Sequence, residues 1–222
     1  LMLLCVVSVN MTALGKELVS DVLPIADPYI LFYNDTYYAY GTSRADGFEV
    51  YSSKDMKSWE RSPRLALNKE DSYGDKWFWA PEVYYVEEDK KFYMFYSVEE
   101  HICVATSDSP VGPFRQEVKQ PAWEEKSTDT SLFIDDDGTP YLYFVRFTDG
   151  NVIWVARMTD DLMKIKTETL SQCVKAEAPW ELLQAKVAEG PSVLKKNGTY
   201  YLIYSANHYQ NKGYGVGYAT SK

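Results

Sequence analysis

The chain has 222 residues, 45% of them apolar, and carries a formal net charge of −9. That length supports one substantial domain with a buried core. The negative balance argues against nucleic acid, whose binders present a basic patch, and against anionic membrane surfaces; it is compatible with a neutral substrate such as a polysaccharide. Nineteen tyrosines, nine phenylalanines and six tryptophans favour strands over helices, and a minority of these rings could stack on sugar faces.

Residues 1–15, LMLLCVVSVNMTALG, form an apolar stretch too short to span a bilayer, with small residues ahead of a possible cleavage after Gly15. They read as the remnant of a secretory signal, so the chain is expected to be secreted or periplasmic, with its folded domain running over 23–222. No membrane span is expected. Cys5 lies in that leader; pairing of Cys103 with Cys173 is open from sequence, and no cysteine spacing points to a metal site.

From residue 23 the same unit recurs four times. An acid precedes a short apolar strand, a polar turn follows, and a tyrosine-rich strand returns. The acids are Asp27 in ADPYILFY, Glu82 in APEVYYVE, Asp129 in TDTSLFID and Glu189 in AEGPSVLK. The turns are Asn34-Asp35, Glu88-Asp89, Asp136-Asp137-Gly138 and Asn197-Gly198. Registered on Tyr38, Tyr93, Tyr141 and Tyr201, the units repeat at roughly 50–60 residues, a propeller-blade length. Third strands follow at FEVYSS, ICVATS, IWVARM and YGVGYATS. Outer fourth segments are expected near Ser58-Trp59, Gly112-Pro113-Phe114 and Met163-Lys164-Ile165. The one stretch with helical character is 177–186. The fold expected is all-β.

If the four acids occupy one repeat position, they converge at one mouth, and convergent carboxylates are what glycoside hydrolysis needs. Taken singly, each acid also passes as a turn former. Trp79 and Phe78 are candidates for a sugar-stacking wall, with core packing as the alternative. Glu82 either binds a substrate hydroxyl or orients a loop. His208, in SANHY, is placed near the same mouth. Asp135-Asp136-Asp137-Gly138 lacks the spaced ligands of a calcium loop and reads as a hairpin turn.

The motifs ADPYI (26–30), FWAPEVY (78–84), DTSLFIDDDGTPYL (129–142) and AEGPSVLKKNGTYYLIYSANHY (188–209) resemble glycoside hydrolase family 43, the arabinanases, arabinofuranosidases and β-xylosidases. The resemblance covers about 200 residues. It implies a five-bladed β-propeller, of which about four blades are present here, and an inverting glycosidase acting on α-L-arabinofuranosyl or β-D-xylosyl linkages of plant polysaccharide. It further implies Asp27 as general base, Glu189 as general acid and Asp129 as the residue that raises and orients the acid. No cofactor is required, although a calcium ion in the central channel is implied as a possibility. Two rival readings are a propeller that binds carbohydrate without cleaving it, and an inactive fragment.

Overall fold

The computed structural model describes residues 17–20 and 22–222. The expected leader at 1–15, with Cys5, lies outside the described residues. Among the described residues seventeen strands form four antiparallel meanders and one small ribbon. Sheet one uses β1 (Glu17–Ser20), β2 (Ala26–Tyr33), β3 (Thr36–Thr42), β5 (Tyr51–Ser53) and β6 (Ser58–Arg61). The ribbon pairs β4 (Gly47–Phe48) with β7 (Leu67–Asn68). Sheet two holds β8 (Trp79–Val86), β9 (Lys91–Val98) and β10 (His101–Ser107). Sheet three holds β11 (Ser127–Ile134), β12 (Pro140–Phe147), β13 (Asn151–Arg157) and β14 (Ser171–Lys175). Sheet four holds β15 (Ala188–Lys196), β16 (Thr199–Ala206) and β17 (Gly215–Ser221). Among the described residues there is no α-helix, as the aromatic and β-branched composition of the strands requires.

The turns explain the hairpins. Asn34 and Asp35 both take positive φ, as do Asn197 and Gly198, the geometry of two-residue loops whose twist matches that of the strands they join. Each meander begins with the strand that faces its neighbours: β2 packs on β8, β8 on β11, and β11 on β15. These four leading strands therefore lie side by side, with the acids near their first residues. Among the described residues apolar layers fill the spaces between successive sheets. One joins Tyr40, Phe48, Phe78 and Tyr96 between sheets one and two; another joins Phe95, Trp123, Leu142 and Phe144 between two and three. The one between sheets three and four joins Val145, Ile153, Leu202 and Tyr204.

Several outer elements differ from expectation. The fourth strand of unit three is β14 at Ser171–Lys175, not the segment around Met163–Ile165, which makes a single bridge from Ile165 to Met158. Thr159 closes a tight loop there by bonding the backbone of Lys164, so the chain turns back before it can pair further. In unit two, Gly112–Phe114 gives no strand; isolated bridges at Phe114 and Arg115 take its place. The expected strand FEVYSS of unit one splits into β4 and β5, because Gly47 and Phe48 pair with the β7 backbone. Glu17–Ser20, upstream of the expected boundary at 23, pairs along β6. The helical character of 177–186 is one 3-10 turn at Pro179–Leu182.

Candidate active site

The same irregularity opens all four leading strands. Each has a β-bulge in which two residues go unpaired: Asp27-Pro28, Ala80-Pro81, Asp129-Thr130 and Gly190-Pro191. The first residue of each bulge is left-handed, with φ of 48° at Asp27, 46° at Ala80, 51° at Asp129 and 56° at Gly190. Bulges recur next to active sites because they re-aim side chains.

This register corrects the repeat drawn from sequence. Asp27 and Asp129 are true equivalents, but Glu82 lies two residues after the equivalent position and Glu189 one residue before it. The prolines at 28, 81 and 191 mark the true alignment, and aligning on them instead of on the acids would have found it. Convergence therefore comes from the bulges and not from one repeated position.

The bulges are also where the sheets are joined. Ala80 N–H donates to Thr42 Oγ1 at 2.9 Å, and that hydroxyl donates to Asp27 Oδ2 at 2.7 Å. Asp129 N–H donates to Ser97 Oγ at 3.1 Å. Gly190 N–H donates to Asp129 Oδ2 at 3.0 Å. Thr42 and Ser97 hold the same register place, opposite the residue before each bulge, and Val145 holds it in sheet three. Valine offers no hydroxyl, so the Asp129 carboxylate accepts the next sheet's N–H in its place.

Asp27, Asp129, Glu189 and Glu82 all line one cavity of about 620 Å³, within the range of small-molecule sites. Asp27 is exposed, on the solvent side. Glu189 is pushed above the usual carboxylate range, first by burial and then by the charge of Asp27. Hydrogen bonds from Tyr214 Oη to Oε1 (2.9 Å) and from Asn151 Nδ2 to Oε2 (3.1 Å) act against that rise. Asp129 is pushed up to about 7 by burial, then by Glu189 and Asp27. An anionic Asp129 and partial burial are both expected to raise Glu189; burial is the leading cause, the charge that adds to it is that of Asp27, and between Glu189 and Asp129 it is Asp129 that is raised by the other. Glu82 is also pushed up to about 7, by burial and by Asp129; its Oε2 accepts from the Tyr84 hydroxyl. Tyr84 Oη in turn accepts Leu132 N–H at 3.0 Å, tying Glu82 to the strand that carries Asp129.

The other candidates from sequence lie elsewhere. Phe78, the residue before β8, is 1% exposed and stacked on Tyr96 in the core. Trp79 stands outside the cavity lining, its ring parallel to that of Trp77 at 5.9 Å. His208 sits in the β16–β17 loop, stacked on Tyr209, with Nδ1 accepting Gln210 N–H; it does not reach the cavity. Tyr214, Asn151 and Tyr84 were missed. The signals were local: Tyr214 sits between Gly213 and Gly215, and Asn151 follows Gly150. Cys103 is buried and Cys173 exposed, and both are free thiols. Among the described residues no group of three or more His, Cys, Asp or Glu side chains gathers to hold a metal ion.

The profile of glycosyl hydrolases family 43 matches residues 23–222. The chain belongs to that family. It is 76% identical to a solved endo-1,4-β-xylanase from Bacteroides thetaiotaomicron, with a TM-score of 0.88 over 90% of this chain and 69% of that one. It is 36% identical to a thermostable family-43 glycoside hydrolase, at a TM-score of 0.83 over 91% of this chain and 70% of the other. A β-D-galactofuranosidase from Aspergillus niger is 27% identical over 88% of this chain, which spans 60% of that relative's length.

Proposed function

We propose that this family 43 chain is an inverting glycosidase of plant cell-wall polysaccharide, cleaving β-D-xylosyl or α-L-arabinofuranosyl linkages. The observation that carries the proposal is an exposed carboxylate, Asp27, and a half-buried carboxyl raised above its usual range, Glu189, lining one cavity from different sheets. Asp27 takes a proton from the attacking water while Glu189 gives its proton to the departing glycosidic oxygen. Asp129 holds the Glu189 strand through Gly190 N–H and resists a further negative charge beside it. Inversion needs the two reacting carboxyls about 6.5–9.5 Å apart, so that a water fits beneath the sugar. The xylanase neighbour favours the xylosyl linkage.

The five-bladed propeller belongs to the same proposal. Sheets one and four each turn apolar side chains outward, Ile30 and Phe32 on one and Leu194, Val216 and Tyr218 on the other, as neighbours of a further sheet would. Secretion or export to the periplasm rests on the apolar sequence 1–15.

The test is hydrolysis of aryl β-D-xyloside, aryl α-L-arabinofuranoside and xylo-oligosaccharides, with the product anomer followed by proton NMR. Parent turnover with the inverted anomer appearing first, lost in Asp27→Ala, is the expected result. Turnover that survives in Asp27→Ala removes the assigned base, and a retained anomer removes the mechanism. A folded parent that binds xylo-oligosaccharide without cleaving it replaces the enzyme with the carbohydrate-binding reading.

A further inference from the structure

Both carboxylate oxygens of Glu189 already have a donor, and the two donors differ in kind. Asn151 Nδ2 can only donate, so with the amide in this orientation Oε2 accepts from it in either protonation state. The Tyr214 hydroxyl at Oε1 can turn about its C–O bond and accept instead. Each donor stands on backbone shaped to deliver it. Gly150 and Asn151 pass so close to the start of β15 that a Cβ on Gly150 would meet Lys186 O at 2.0 Å. Asn151 N–H donates to Lys186 O at 2.9 Å, and Asn151 bridges Val187, two residues before Glu189. Tyr214 follows Gly213, where a Cβ would meet Leu183 Cδ1 at 2.7 Å, and precedes Gly215, which lies against Trp180. Asn211 closes that loop by accepting Gly213 N–H on Oδ1 and Tyr214 N–H on its carbonyl, while its amide bonds Gln184.

We infer that Tyr214 and Asn151 are positioning residues that fix Glu189 so that its transferable proton resides on Oε1, the oxygen facing Tyr214. The inference deepens the proposed role of Glu189 as acid and rests on it. In the protonated state Asn151 holds Oε2 as the carbonyl oxygen, and Oε1–H is free to point at a leaving oxygen while the tyrosine hydroxyl rotates away. After transfer, Tyr214 turns its O–H back onto the anionic Oε1. Glu189 loses that proton to the departing oxygen while Asp27 gains one from the attacking water, so the protein's proton count is unchanged over the step. Tyr214 thus bonds only the ionised form as a donor, whereas Asn151 donates to both forms. Asp27, Asp129 and Glu82 are the other titratable groups lining the cavity around Glu189, together with Tyr29, Tyr84 and Tyr214.

The difference is measurable without turnover. Full-length protein labelled with 13C at the glutamate side-chain carboxyls is titrated by NMR, with the Glu189 signal assigned by its loss in Glu189→Gln. Tyr214→Phe, which removes one oxygen atom and keeps the ring, is expected to raise the Glu189 midpoint by about one pH unit. Asn151→Ala is expected to raise it less than half as far. In a pH–rate profile the alkaline limb moves up by the same amount in Tyr214→Phe, with kcat affected more than KM. An unmoved midpoint in a folded Tyr214→Phe protein overturns the inference, and so does an Asn151→Ala shift equal to or larger than that of Tyr214→Phe. Should the parent cleave no glycoside, the acid role fails, and the titration still decides which oxygen keeps the proton.

Discussion

Sheets two and four are built from the same meander and differ in what covers them. In sheet two the central strand β9 is buried from Phe92 to Val98, with neighbours on both faces. In sheet four β17 alternates, leaving Val216 and Tyr218 73% and 72% exposed. Sheet two is held by packing on both faces, whereas the acid of sheet four is held by hydrogen bonds from Asn151 and Tyr214, with the neighbouring Gly190 N–H donating to Asp129. A carboxyl on a sheet packed on one face depends on such polar ties, because apolar contact limits its motion from one side only.

Five substitutions, in four experiments, would break or sharpen that contrast. The largest effect is expected at Glu189→Gln, which keeps the hydrogen-bonded shape and removes the proton donor: turnover falls by roughly 10²–10⁴-fold with no loss of melting temperature, measured on an aryl glycoside. Next, Phe95→Ala in sheet two removes a fully buried ring and should cost about 3–5 kcal/mol in urea unfolding, whereas Tyr218→Ala in sheet four should stay within about 0.5 kcal/mol. Equal costs would mean that the outer face of sheet four is covered in solution.

The third concerns pH. Asp129 and Glu82 are both pushed up to about 7 in the folded chain, against about 4 for ordinary carboxyls. The folded state therefore binds these protons more tightly than the unfolded state. Stability is greatest below about pH 4 on their account and declines as pH rises through about 7. Asp129→Asn should flatten that decline, gaining on the order of 1–2 kcal/mol at pH 8 relative to the parent and nothing at pH 4. A parent that becomes more stable between pH 5 and 8, with no difference in the variant, contradicts this. The smallest effect is expected at Thr42→Val, which removes the bridge between Ala80 N–H and Asp27: about 1 kcal/mol in thermal unfolding, with a larger proportional loss of turnover than of stability.

Local chemistry made much of this legible in advance. Alternating apolar runs, Asn-Asp and Asn-Gly turns and tyrosine-rich return strands act over a few residues, so the four hairpins and their order follow from the chain alone. The three acids proposed for catalysis were likewise found by motif. The weakest parts were those that depend on distant backbone. β14 pairs only because β13 offers an open edge, and the Met163 loop fails to pair because Thr159 folds it back.

The sequence by itself determined the all-β meanders, their turns and the identity of the acids, since strand periodicity and turn geometry are local properties. Tertiary structure alone decided how the acids meet. Asp27 and Asp129 share a bulge position, whereas Glu82 and Glu189 reach the same cavity from other registers. It also decided that Phe78 faces the core, that His208 misses the cavity, and that Asn151 and Tyr214 hold Glu189. Those outcomes depend on how one sheet's bulge sits against the next, a contact between residues far apart in the chain that no periodicity encodes.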